Sequence, residues 1–377
     1  MQSGSWSEQE ITGRWSRMQT ALAHERLDGL LVSEASNFRY FTGQTTPQFL
    51  HRMRPQFFLL PQRGQPILYV YGNEVKRLKG PTYVTDFRTY VDVPPFPVEQ
   101  LAGLIRELGW RTVGAEFGLN QRLGLPLADL QDLQRALPEV AWRDASGPLI
   151  SVQTAKSADE VAAMRESCRI AQAGWELLLG RIHPGMTTSE IARHLALACI
   201  EMGSDPKSGV PSHVTQLSTG SKDGVMREGD ILKCDFHAAY QGHWSDICRL
   251  ATVGEPTPRH RELHERSHRL LSECLAELRP GRRAREIAMF NNSQRQALGL
   301  PLLNANKRMG HGVGLEATTP PSLNIVDETL LVPGTILAVE PSFESEFGAI
   351  TLEECAVITD TGYDMLSAGA GELGVVR

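Results

Sequence analysis

Two stretches of the C-terminal half end on an acid in the same way. GDILKCD (Gly229–Asp235) and GTILAVE (Gly334–Glu340) both read Gly-x-Ile-Leu-x-x-carboxylate. Each is followed by a second acid on a returning segment. After CDF the chain passes through HAAYQGH and returns as WSDICRLATV, which carries Asp246. After VEP it passes through SFESEFG and returns as AITLEECAVI, which carries Glu353. Alternating polarity with glycine near the turn predicts a β-hairpin in both cases. Residues directly opposed in an antiparallel pair share a face. Asp235 and Asp246, eleven residues apart, are therefore expected to meet across a loop centred near Tyr240–Gln241. Glu340 and Glu353, thirteen apart, are expected to meet across one centred near Glu346–Phe347. Like charges opposed on one face destabilise a sheet unless a cation lies between them. A pair of divalent cations accounts for both hairpins at once.

A fifth candidate ligand is His311 in MGHGVGLE, where Gly310 and Gly312 allow close backbone approach. Four carboxylates and one imidazole carry about −4, which two divalent ions balance, and a bridging hydroxide between them would be activated at neutral pH. An oxygen-rich set with a single imidazole favours Mn or Co, admits Zn, and needs no thiolate. The plainer alternative, unrelated surface carboxylates on two hairpins, explains neither the repeat nor the GHG.

The elements that must position these residues are themselves repeated. HPGMTTSEIA (His183–Ala192) is echoed by RPGRRAREIA (Arg279–Ala288), each between two helical stretches. The order helix, Pro-Gly, helix, strand thus occurs twice, which predicts a pseudo-twofold domain with a site where its halves join. Upstream, helix and strand alternate. A helix is expected over Glu8–Arg26, a strand at LDGLLVSE, and a hairpin of FFLLP and ILYVY about the turn QRGQ. A further helix near Glu99–Leu108, the strand TVGAE, a helix near Leu127–Ala136 and the strand VAWRDA complete an α/β domain. The boundary falls near Gly147–Ser157, where Ser157 caps a long new helix. The expected domains are 1–150 and 151–377.

At 377 residues, two domains are the natural expectation. A net charge of −6 gives no sign of a nucleic-acid or anionic-membrane partner. No apolar run approaches the roughly 18 residues that span a bilayer. The polar start MQSGSWSEQEITGRW lacks the features of a secretion signal, so a cytoplasmic location is expected. Six cysteines without a CxxC are expected to be reduced and buried, with strand alternation turning Cys234 away from the metal face.

The ordered set GDILKCD, GHWSD, GHGVGLE, VEP and TLEECAVIT resembles the pita-bread metallopeptidases. That family comprises methionyl aminopeptidase, aminopeptidase P and Xaa-Pro dipeptidase (prolidase). NFRYFTG (Asn37–Gly43) is similar to its N-terminal domain signature, and AKSADEVAAMR to the entry of its catalytic domain. The resemblance implies a creatinase-like α/β N-terminal domain joined to an α+β pita-bread domain with duplicated halves. It implies a homodimer and, because an N-terminal domain is present, cleavage of Xaa-Pro dipeptides. In that reading Asp235 and Asp246 hold one ion, His311 and Glu340 the other, and Asp246 and Glu353 bridge both. Glu340 doubles as the proton shuttle.

The chain also departs from the family. Thr318 and Thr319 stand where a substrate-binding His-Glu pair is usual, Ser218 stands where a second histidine is usual, and Thr351 replaces a frequent arginine. Two other histidines are candidates for the vacated oxyanion or substrate contact. His237 lies two residues past Asp235 on the same strand face, and His213 lies in SGVPSH. HRMRP (His51–Pro55) could lend a cation to a substrate carboxylate, although a solvated basic loop is the simpler reading. His264-Glu265-Arg266-Ser267-His268 matches HExxH, but its polar surroundings predict a solvated helix and no zinc. Two alternatives remain beside the peptidase. One is a hydrolase of another small amide, such as a cyclic or N-acylated amino acid. The other is a non-catalytic binding module, as among relatives without metal such as creatine amidinohydrolase.

Overall fold

The computed structural model describes residues 6–50, 54–78, 82–91, 96–205, 213–217 and 224–377. The chain forms two units, Met1–Gln153 and Thr154–Arg377. Among the described residues, no helix is long and apolar enough to cross a membrane.

In the first unit, Ser7 accepts a hydrogen bond from Glu10 N and starts α1 (Glu8–His24). Its residues Ile11, Trp15, Met18 and Leu22 recur at helical spacing and are buried. There follow β1 (Gly29–Val32), α2 (Ala35–Thr42), β2 (Phe57–Pro61), β3 (Ile67–Tyr71), α3 (Val75–Leu78) and β4 (Asp86–Tyr90). Then come α4 (Val98–Glu107), β5 (Thr112–Ala115), α5 (Leu127–Ala136), β6 (Ala141–Asp144) and α6 (Ser146–Thr154). The strands form one sheet in the order β4-β3-β2-β1-β5-β6. The β2–β3 hairpin pairs Phe57 with Tyr69, and β1, β5 and β6 run parallel. All four residues of β1 are buried, as a strand covered on both faces requires.

The second unit opens with α7 (Ala158–Leu179) and α8 (Thr188–Glu201). Ser157 with Glu160 and Thr187 with Glu190 close capping boxes at their starts. Next come β7 (His213–Leu217), β8 (Ile231–Phe236), β9 (Ala239–Tyr240), β10 (His243–Trp244) and β11 (Ile247–Val253). The second half runs α9 (Pro258–Leu275), α10 (Ala284–Ala297), β12 (Gly310–Gly312), β13 (Thr319–Ser322), β14 (Ile336–Val339) and β15 (Ser342–Ser345). It ends with β16 (Gly348–Thr351), β17 (Glu354–Ile358), β18 (Tyr363–Met365) and β19 (Gly374–Val376).

The duplication extends to single hydrogen bonds. Gly185 N donates to Met226 O at 2.8 Å and Gly281 N to Leu331 O at 2.9 Å. Gly229 N donates to Val253 O and Gly334 N to Ile358 O, both at 2.9 Å, and both glycines have φ of 86°. Two larger sheets result, β19-β11-β8-β7 and β13-β12-β14-β17-β18, beside the two-stranded β10-β9 and β15-β16. An antiparallel bridge between Cys248 and Glu353 links the larger two.

The register of the second hairpin runs from Val339↔Glu354 to Ser342↔Thr351, which opposes Glu340 to Glu353 as expected. The first hairpin corrects the expectation. Asp235 is opposed to Cys248, not to Asp246. The cause is the turn: Gln241 and Gly242 both have positive φ, 50° and 82°, and close the pair Tyr240↔His243 as a two-residue loop. The turn centre thus moves one residue along, and Asp246 falls opposite His237.

Helix α9 also corrects the sequence reading. It is not solvated all round: His260, Leu263, His264, Ser267, Leu270, Leu271 and Cys274 form a buried face. The polar side chains that disguised it are Arg and Glu on the other face. All six cysteines are free and buried.

Arg249 on β11 is fully buried. It donates to Glu354 Oε2 at 3.0 Å, Glu353 O at 2.7 Å, Ala368 O at 3.0 Å and Gln172 Oε1 at 2.9 Å. Arg249→Met would leave Glu354 as an uncompensated buried charge, a loss of about 3–5 kcal/mol. We expect the unfolding midpoint of this unit, followed calorimetrically, to fall by roughly 6–20 °C; an unchanged midpoint would refute the assignment.

Candidate metal centre

His311 is held on the short strand β12 between two glycines that admit no side chain. A Cβ on Gly312 would lie 2.2 Å from Pro320 O, and one on Gly310 would lie 2.4 Å from Ala338 O. The His311 ring donates from Nδ1 to Gly312 O at 3.0 Å, since a carbonyl can only accept. That leaves the Nε2 lone pair free, and burial pushes the ring's pKa down toward the neutral form. Nε2 lies 3.5 Å from Asp246 Oδ2, 3.5 Å from Glu340 Oε1 and 4.0 Å from Glu353 Oε1.

The hairpins bring the four acids around this nitrogen. Two overlapping groups have ligand atoms within 4.8 Å of one another: Asp246, His311 and Glu353, and Asp235, Glu340 and Glu353. Glu353 belongs to both, and Asp246 groups with His311. Burial raises Asp235 from 3.8 to about 6, with the Asp246 charge adding to it. Burial likewise raises Glu340 from 4.5 to about 7, helped by Asp235 and Asp246. Glu353 is pushed well above the usual carboxylate range by burial, then by Asp246, Glu340 and Asp235.

Both Glu353 oxygens are buried without a hydrogen-bond partner. An orphaned carboxylate amid three others is costly to bury unless cations compensate it. Oxygens dominate the donor set, one imidazole joins them, and the nearby Cys248 thiol is turned to Thr351 O at 3.3 Å. This chemistry fits hard or borderline divalent ions.

The other candidates are placed as follows. His237 Nδ1 lies 2.9 Å from Asp246 Oδ1, a short contact out of line for a full hydrogen bond. Burial lowers the His237 pKa, but Asp246 and Asp235 outweigh this and raise it. His213 begins β7 opposite Phe236, so Val214 holds the register position beside Asp235. Ser218 lies outside the described residues, as do His51, Arg52 and Met53 of HRMRP; Arg54 there donates to Gln48 at 3.3 Å within its own unit. Thr318 is exposed on the bend after GHG, whereas Thr319 Oγ1 is buried and unpartnered. Neither of the two groups includes His264 or His268.

Sequence reasoning missed Arg308, whose Nε lies 3.7 Å from Glu340 Oε1 and whose charge offsets part of the rise in that acid's pKa. Its position three residues before His311 was the available signal. It also missed the buried pair of His243 Nε2 and Glu160 Oε1, 3.1 Å apart.

The raised pKa values set a sign. Without ions, the folded state keeps protons on Asp235 and Glu340 that the unfolded chain has released, so stability is lost as pH rises through about 6 to 7. Ion binding needs these acids deprotonated and strengthens over the same range. The gap between the unfolding midpoints of Mn²⁺-saturated and chelator-treated protein should therefore widen from about pH 5 to about pH 7.5. A constant gap would contradict this electrostatic picture.

Comparison with known proteins follows the same lines. Residues 162–360 match the model of metallopeptidase family M24, and residues 14–152 match the creatinase/prolidase N-terminal domain. An ectoine hydrolase of Halomonas elongata is 25% identical, with 96% of each chain covered. An Xaa-Pro dipeptidase of Lactobacillus delbrueckii is 22% identical over 96% of this chain and 98% of its own. In structure, an Xaa-Pro dipeptidase from Bacillus anthracis superposes with a TM-score of 0.83 at 21% identity, covering 97% of this chain and 99% of the other. The fold is that of the pita-bread proteins with their N-terminal domain.

Proposed function

Because the chain belongs to metallopeptidase family M24, we propose that it uses two divalent ions, Mn²⁺ or Co²⁺, to hydrolyse Xaa-Pro dipeptides. The observation that carries the reading is Glu353: it has two unpartnered buried oxygens and belongs to both ligand groups. Ions bound there would lower the pKa of a water and polarise the scissile carbonyl.

The chain's own residues then do the rest. His311 is fixed in one tautomer and stays neutral, so it offers a lone pair rather than a proton. Glu340, with its pKa near 7 and 22% of its side chain exposed, is suited to proton transfer. It takes a proton as water adds to the amide carbon and returns it to the departing nitrogen as the C–N bond breaks. Thr319 Oγ1 offers an uncommitted donor beside Gly312 for the substrate.

A second reading keeps the ions and changes the amide. It is favoured by Thr318 in place of the usual substrate histidine and by the ectoine hydrolase among the relatives. One experiment separates the readings. Metal-stripped protein is reloaded with Mn²⁺ or Co²⁺ and offered Ala-Pro, Met-Pro, ectoine and N-acylated amino acids. Release of proline is expected, with Asp246→Ala losing at least about 100-fold in rate and binding fewer ions. Turnover confined to ectoine or an acylated amino acid would overturn the dipeptidase reading in favour of the second.

A further inference from the structure

The two hairpins are not equivalent, and the difference isolates one residue. In the second, Glu340 and Glu353 stand on the same rung between Val339↔Glu354 and Ser342↔Thr351. In the first, Cys248 occupies the rung opposite Asp235, and the second acid, Asp246, lies two residues nearer the tip, beyond the end of β11. Asp246 lies one residue before β11, as Glu353 lies one residue before β17. Glu353, however, is tied to Cys248 by a backbone bridge, whereas the Asp246 backbone meets the Cys355 thiol. What faces Asp246, by continuation of Ile247↔Phe236, is His237. The corresponding position of the second hairpin is Ser342, which is exposed.

We infer that His237 is a positioning residue for Asp246. The inference rests on the two-ion reading above. Nδ1 of His237 sits 2.9 Å from Asp246 Oδ1, and neither atom has a hydrogen-bond partner elsewhere. The opposite oxygen, Oδ2, is the one 3.5 Å from His311 Nε2. Asp246 thus meets His237 through one oxygen and faces His311 through the other. The His237 ring is itself confined, edge-on to Trp244 with centroids 6.1 Å apart and planes at 86°, and 12% of its side chain is exposed. The backbone N–H of Trp244 is in turn tied to Gly314 O at 2.8 Å, on the loop after His311. Direct ligation by His237 is the competing role, but the residue falls outside both ligand groups. Residues that orient a metal ligand typically change ion affinity by about 10- to 100-fold when removed.

The test is calorimetric titration of metal-stripped protein with Mn²⁺, alongside Co²⁺ absorption spectra, for wild type, His237→Ala and His237→Asn. Far-UV circular dichroism reports the fold. Asn keeps a donor near the place of Nδ1 without the imidazole. Two ions should bind all three proteins, with the weaker site of His237→Ala loosened about 10- to 100-fold and most of that recovered in His237→Asn. The Co²⁺ band positions should not move. Wild-type affinities in His237→Ala would overturn the inference. So would the loss of one ion with shifted Co²⁺ bands, which would make His237 a ligand. If wild type itself takes up fewer than two ions at saturating Mn²⁺, the two-ion reading fails instead, and this inference with it.

Discussion

Four carboxylates share one buried place, and nothing in the protein's own hydrogen bonding satisfies them all. Burial raises the proton affinity of Asp235, Glu340 and Glu353, and the charges of neighbouring carboxylates raise it further. A fold can tolerate such a concentration of charge only if rigid backbone holds the groups there and something positive is expected to arrive. Two hairpins, joined by the Cys248–Glu353 bridge, supply the rigidity. Arg249 reinforces the junction from behind by binding the carbonyls of Cys248 and Glu353 and the carboxylate of Glu354. Much of the second unit can be read as support for that one electrostatic arrangement.

The repeat in the sequence made the architecture legible. Pro-Gly before Glu-Ile-Ala and Gly-x-Ile-Leu before an acid are local signals, because turn glycines, helix caps and buried strands each restrict residue type within a few positions. They return in the structure as paired hydrogen bonds at Gly185 and Gly281 and at Gly229 and Gly334. The hairpin at Glu340 was equally readable, since its turn sits midway between its acids. The hairpin at Asp235 was read one residue out. The acids suggested a centre at Tyr240–Gln241, whereas backbone conformation at Gln241 and Gly242 decided it. Spacing between functional residues is a weaker guide to register than the residue types able to adopt positive φ.

What lay furthest from reach was long-range. Arg308 offered only its nearness to His311 as a sign that its guanidinium approaches Glu340, and nothing near His243 announces Glu160, 83 positions away. Helix α9 misled for a different reason. Its exposed face carries Arg and Glu and its buried face adds two histidines and a serine, so counting polar residues hid an amphipathic pattern that their placement reveals.

The two-residue tip at Gln241–Gly242 carries a consequence for how this hairpin can change over evolutionary time. Side chains on a strand alternate faces, so one residue gained or lost on one arm between Asp235 and Asp246 swings everything beyond it to the opposite side. Asp246 would then point into the core that packs Cys234 and Phe236. Length variation here is permitted only in steps that preserve parity, unless a bulge absorbs the odd residue. The tip is thereby a counting device: it looks like an exposed loop open to drift, yet its length is fixed by a carboxylate several residues away.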